Sequence, residues 1–323
     1  MEYRQLGRAG LQVSAIGLGT NNFGRQLDAK ATEVVINHAL DMGMNMIDTA
    51  NTYSGGRSEE FIGRALKGKR DKAIIATKVS SRVGDGPNMG GNSRQHILAE
   101  VENSLRRLGT DYIDLYQLHN PKMDALERDE LFETLEQLQF EGKIRYYGVA
   151  LGPDIGWVEE GEYSMRDRHV VSAQVIYSIL EQDPAKGFMK LAEEHEVGLL
   201  SRVPHASNTL TGEFDHGLPI FDADDHRAHR KNEWLEEAMR KVDHVRFLVQ
   251  EDTRTMAQSA IQFVLKQPTI VSVLPNFTNL AELKEYTSAL DTPELTDEEQ
   301  AKLDELWDHG FDIAEPEPQF REI

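Results

Sequence analysis

The sequence predicts an α/β chain folded as a single (β/α)8 TIM barrel, and three observations predict it. Eight short β-rich runs recur along 323 residues. Amphipathic stretches with helical spacing lie between them. The turn after the first run carries Gly17, Gly19 and Gly24, so its third glycine is misplaced for the G-x-G-x-x-G of a doubly wound nucleotide fold, and no helix follows promptly. Strands and helices that alternate without that turn close most simply into a barrel.

Taken in order, residues 1–13 read as a short β-hairpin able to plug one barrel end. Strands are expected at 15–19, 44–48, 73–78, 112–118, 144–149, 170–175, 197–201 and 269–274. Ser58 is the expected N-cap of a helix with Phe61, Ile62, Ala65 and Leu66 on one face. Ser93 caps the next, with Ile97, Val101, Leu105 and Leu108 at helical spacing. A stripe of Leu131, Leu135 and Leu138 stops at Gly142, and Phe188, Leu191 and Ala192 precede a stop at Gly198. Ala257, Ala260, Ile261 and Val264 form a buried face, and Leu280, Leu283 and Leu290 the last one. Residues 203–250 are an insertion after strand seven, a long loop plus a helix bearing Trp234, Leu235 and Met239, of the kind that builds binding loops and lids. A Pro- and Glu-rich tail occupies 311–323. With no internal repeat and no linker, 1–323 reads as one domain.

Composition narrows the partners. Fifty-five acidic residues against 35 basic ones give a formal charge of −20, which repels nucleic acid and anionic membranes. There is no cysteine, hence no disulfide or thiolate metal site. The polar N-terminus lacks a signal-peptide core and no run reaches the roughly 18 apolar residues of a membrane helix, so a cytoplasmic location is expected. Asp222, Asp224, Asp225, His226 and His229 read as a solvated loop paired with Arg227 and Arg230, and no metal is assigned. Gly84, Gly86, Gly90 and Gly91 suit a substrate gate and lack the ending of a nucleotide P-loop.

Four polar residues fall at one end of the strands. Asp48 ends strand two, Lys78 strand three and His119 strand four, while Tyr53 lies five residues past Asp48. Barrel active sites sit at these C-terminal strand ends. Hydride addition to a carbonyl leaves an alkoxide in need of a proton. A free phenol, with pKa about 10, is a reluctant donor near neutrality, and a neighbouring Lys78 ammonium would favour its tyrosinate. Asp48 would hold Lys78 charged and in place. His119, neutral, would hydrogen-bond the substrate oxygen and orient it. Singly, each residue is more often structural; four in complementary roles reverse that bet.

The run from Asp48 to Glu59, DTANTYSGGRSE, and the run from Glu102 to Tyr116, ENSLRRLGTDYIDLY, resemble the aldo-keto reductase signatures around the family's Asp, Tyr and His. The resemblance continues through strand eight, with a weaker match at 203–250, and is closest to the bacterial and potassium-channel-β-subunit-like branch. It implies hydride transfer between a nicotinamide cofactor and an aldehyde, ketone or sugar-like carbonyl, with Asp48, Tyr53, Lys78 and His119 as the tetrad. It also implies cofactor contacts from Gly19 and Thr20, and from Gln174 to the carboxamide. Arg202, Val203, His205 and Ser207 match the segment that stacks on the nicotinamide and holds the pyrophosphate, with Arg202 where the family has an aromatic ring; its planar guanidinium can stack there or equally bind the substrate or a carboxylate. Ala150-Leu151 replaces the family's Ser-Asn pair, losing two carboxamide hydrogen bonds worth roughly 1 kcal/mol each. At the site of the adenosine 2′-phosphate stand Asn276, Thr278 and Glu282, none of them basic, so NAD(H) is favoured over NADP(H). Two other readings stay open: a slow nicotinamide-binding redox sensor, and redox-neutral sugar chemistry with a tightly held cofactor.

Overall fold

Period-two alternation sorts each strand's side chains between the barrel interior and the face that meets the helices. In the computed structural model, which describes residues 1–80, 92–152, 157–221, 225, 227, 230–250 and 252–313, ten strands appear. They are β1 (Tyr3–Gln5), β2 (Gln12–Ser14), β3 (Leu18–Gly19), β4 (Met46–Asp48), β5 (Ile74–Ser80), β6 (Ile113–His119), β7 (Ile144–Ala150), β8 (Ser172–Ile176), β9 (Gly198–Arg202) and β10 (Ile270–Leu274). Strands β3 to β10 lie side by side in chain order, every neighbouring pair parallel. The ring closes where the backbone ahead of β3 meets β10: Gly17 N–H donates to Val273 O at 2.8 Å and Val273 N–H to Ala15 O at 2.8 Å. All eight expected barrel strands are present.

The helices are α1 (Ala29–Asp41), α2 (Arg57–Ala65), α3 (Arg94–Leu108), α4 (Met123–Leu126), α5 (Asp129–Phe140), α6 (Val158–Asp167), α7 (Ala185–Glu194), α8 (Asn232–Val245), α9 (Met256–Leu265), α10 (Leu280–Thr287) and α11 (Asp297–Asp308). Sequence periodicity had not singled out α1, α6 or α11. Two of them carried legible start signals: Asp28 accepts from Ala31 N–H, and Thr296 with Glu299 forms a reciprocal capping box. Ser93 caps α3 as expected, accepting from His96 N–H.

Two expected helix boundaries move. Ser58 is not the cap of α2; Gly56 is, in the left-handed region that favours glycine, and Ser58 lies inside the helix with its hydroxyl buried against Thr20 and Thr49. Gly198 does not stop α7, which ends four residues earlier at Glu194; it opens β9, where a Cβ would meet Gly7 N at 3.0 Å.

The hairpin of β1 and β2 closes the end of the barrel where the strands begin. Leu6, Leu11 and Val13 pack against Met46, Ala76, Leu115, Leu200 and Val271, one apolar layer contributed by five barrel strands. Arg4 fixes the hairpin by donating to the carbonyls of Leu265, Gln267 and Ile270. Among the described residues, no helix is long and apolar enough to cross a membrane.

Candidate active site

Two residues beyond that apolar layer, on the same inward faces, the composition changes. Met46 gives way to Asp48, Ala76 to Lys78, Leu115 to Gln117 and Leu200 to Arg202, and Gln174 of β8 joins them through its bond to Asp48. Lys78 is fully buried, and its Nζ donates to Asp48 Oδ2 at 2.6 Å, to Thr49 O at 2.9 Å and to Tyr53 Oη at 3.5 Å. The other Asp48 oxygen accepts from Gln174 Nε2 at 2.8 Å and Gln117 Nε2 at 3.2 Å. A buried carboxylate is tolerable when a cation and two amides meet it in this way. Gln117 was missed at the sequence level, although a polar residue two places before His119 on one strand must share its face.

Tyr53 reaches the site from the loop after β4, turned by Ser54, Gly55 and Gly56, all with positive φ. Ser54 Oγ donates to Phe23 O at 2.8 Å and pins the turn. The Tyr53 and His119 rings meet edge to face, centroids 6.5 Å apart. Burial holds His119 well below the usual imidazole range, and the positive charges of Lys78 and Arg202 add to this. It is therefore a neutral ring. The four residues of the expected tetrad do converge.

A model of the aldo/keto reductase family matches residues 15–308. The chain belongs to the aldo-keto reductase family. It is 32% identical over 304 residues to the uncharacterized oxidoreductase YqkF of Bacillus subtilis, covering 93% of this chain and 94% of that one. It is 29% identical over 318 residues to a probable voltage-gated potassium channel subunit beta of Arabidopsis thaliana, covering 90% and 92%. The holo form of the aldo-keto reductase AKR11C1 from Bacillus halodurans superposes with a TM-score of 0.78 at 31% identity, over 100% of this chain and 98% of that one.

Against the aldo-keto reductase pattern, the remaining residues divide into two groups. Thr20, His205 and Ser207 are buried and bonded within the protein. Thr20 Oγ1 donates to Asp48 O at 2.8 Å. His205 packs on Tyr286, ring centroids 4.4 Å apart, with Nε2 3.2 Å from Ala257 O, and burial lowers its pKa to about 4. Ser207 Oγ accepts from Arg230 Nε at 3.1 Å. Gly19 and Gln174 are buried as well, Gln174 bonded to Asp48, whereas Arg202 and Asn276 are half-buried. Gly19 sits so tightly that a Cβ would come within 2.8 Å of Asn276 Oδ1.

The two family positions replaced by Ala150 and Leu151 have opposite fates. Ala150 is in register with Gln174 and so faces inward. Leu151 turns to the outer core against Gly161, and its carbonyl accepts from Arg202 Nη2 at 2.6 Å. In the insertion, Asp225 pairs with Arg227 at 3.0 Å as expected. Arg230 pairs with Glu181 at 2.8 Å, buried, a partner the expectation did not name. The rest of that run, Asp222, Asp224, His226 and His229, lies outside the described residues, as do Gly84, Gly86, Gly90, Gly91 and the end of the tail. Arg230 and Glu181 were not predicted, since nothing in the sequence ties residues 49 apart.

At the head of α10, Glu282 folds back on its own helix. Its carboxylate accepts from Thr278 N–H at 2.7 Å, Thr278 Oγ1 at 2.6 Å and Asn279 Nδ2 at 2.9 Å.

Proposed function

We propose that this chain reduces a small aldehyde, ketone or sugar-like carbonyl with a nicotinamide cofactor, Tyr53 delivering the proton. The observation that carries the reading is the Lys78 ammonium, held by Asp48 at 2.6 Å and by Thr49 O while facing the Tyr53 hydroxyl at 3.5 Å. A fixed cation there stabilises the phenolate left once the proton has gone. Asp48 is a positioning residue for Lys78. His119, neutral, can donate one hydrogen bond to the carbonyl oxygen and orient it toward Tyr53.

The residues at the rim fit a carboxamide-bearing ring. Asn120 Oδ1, beside His119, and Arg202 Nε are buried without partners. Gln174, Arg202, Val203 and Asn276 would hold the cofactor along Gly19, with Thr20, His205 and Ser207 bracing that wall from behind. When bound, the reduced nicotinamide supplies the hydride.

Preference for NAD(H) over NADP(H) is supported by Glu282. The donors at the head of α10 that would receive a 2′-phosphate already hold a carboxylate of the protein's own. A 2′-hydroxyl can donate to it, whereas a phosphate meets like charge.

The test is turnover of an aldehyde panel with each cofactor. NADH should give the larger kcat/KM, and Tyr53→Phe should lower kcat by about 10² to 10⁴ with cofactor affinity nearly intact. Undiminished turnover in that variant removes Tyr53 from its role; a large NADPH advantage removes the cofactor assignment.

A further inference from the structure

We infer that Arg202 recognises a carboxylate or phosphate on the carbonyl substrate, making this a reductase of anionic aldehydes or ketones. The inference deepens the reductase reading and rests on it.

Lys78 is neutralised by Asp48 at 2.6 Å, and the next carboxylate, Glu181, is taken by Arg230 through both oxygens, at 2.8 and 2.9 Å. Arg202 is the third cation of this group, and among the described residues no carboxylate lies within ion-pair distance of it. One Nη donates to the Leu151 carbonyl and Nε is buried without a partner. His119 is neutral and adds nothing. Among the described residues, Lys78 and Arg230 each hold a carboxylate within ion-pair distance and Arg202 does not. Half-buried guanidinium without a counterion is costly, and its planar fork matches a carboxylate or phosphate.

Position agrees with charge. Arg202 ends β9 on the inward face, in register with Leu274 and with Ile176, two residues past the Gln174 whose amide bonds Asp48. The Leu151 carbonyl anchors the guanidinium at the wall beside the reacting centre. A substrate whose carbonyl lies between Tyr53 and His119 would bring an anion a short chain away onto it.

Matched pairs test this: succinic semialdehyde against butanal, and glycolaldehyde phosphate against glycolaldehyde. At least one anionic member should exceed its neutral partner in kcat/KM by roughly tenfold to a hundredfold, the range of one charge-assisted contact. The pair that responds separates carboxylate from phosphate. Arg202→Met should collapse that ratio toward one, whatever loss both members share, and Arg202→Lys should keep most of it. A ratio near one in the natural protein, or one unchanged by Arg202→Met, overturns the inference. Calorimetry on the natural protein saturated with NAD+, so that its own phosphate-binding segments are filled, with succinate and inorganic phosphate against succinamide reads the site without turnover, and protects the test should Arg202→Met misfold. Binding of either anion but not succinamide supports the proposal, and no anion binding overturns it. Absence of turnover with every carbonyl, by contrast, would strike the reductase reading itself.

Discussion

The two ends of the barrel are built by the same strands and differ by two residues along each. At the closed end Met46, Ala76, Leu115 and Leu200 meet the hairpin and form a dry layer. One step on, Asp48, Lys78, Gln117 and Arg202 take their places. The closed end contributes stability through area removed from water, roughly 25 cal/mol per Å². The open end sets charged groups where they cost solvation, and recovers that cost where they pair, as Asp48 and Lys78 do. The charged groups are thus confined to one layer, and its apolar neighbour supplies the rigidity holding Asp48 and Lys78 at 2.6 Å.

The sharpest way to break the comparison is at the open end. Lys78→Met leaves Asp48 with two amides and no cation; the chain should lose about 3–5 kcal/mol in denaturant unfolding. Its kcat should fall by about 10² to 10⁴. A variant with full activity would show that the cation is dispensable. At the closed end Leu115→Ala should cost about 2–5 kcal/mol, with kcat per folded molecule unchanged. If kcat fell in proportion to stability, the two layers would not be separable in function.

Two smaller effects sharpen the division between residues that face the cofactor and those that brace it. Glu282→Gln should raise kcat/KM for NADPH by roughly tenfold, about 1.4 kcal/mol, with little change for NADH. An unaltered ratio of the two cofactors would place the discrimination elsewhere. His205 bears on acid stability. Its folded pKa, about 4, lies below the usual 6.5, so the unfolded chain takes up a proton that the folded one refuses. Stability is therefore intact above about pH 6.5 and falls as pH drops toward 4. His119, also depressed by burial, acts in the same direction. His205→Phe should reduce the slope in that window by about one proton, about 1.4 kcal/mol per pH unit, seen by urea melts from pH 4 to 7. A slope as steep as before would mean the ring is protonated in the fold.

What the sequence determined by itself is the repeating part. Eight β-rich runs gave the strands, and residues ending them gave the tetrad, because strand periodicity and barrel closure leave a strand-end side chain few places to go. Local signals misplaced Ser58, whose hydroxyl is drawn from capping into a buried link with Thr20 and Thr49. Tertiary structure alone decided the pairings between distant segments: Gln174 on Asp48 across 126 residues, Arg230 on Glu181, and Leu151 turned outward with its carbonyl on Arg202. Such contacts depend on which charges remain unpaired once the chain has closed on itself, and that sum is taken over the whole fold rather than along the chain.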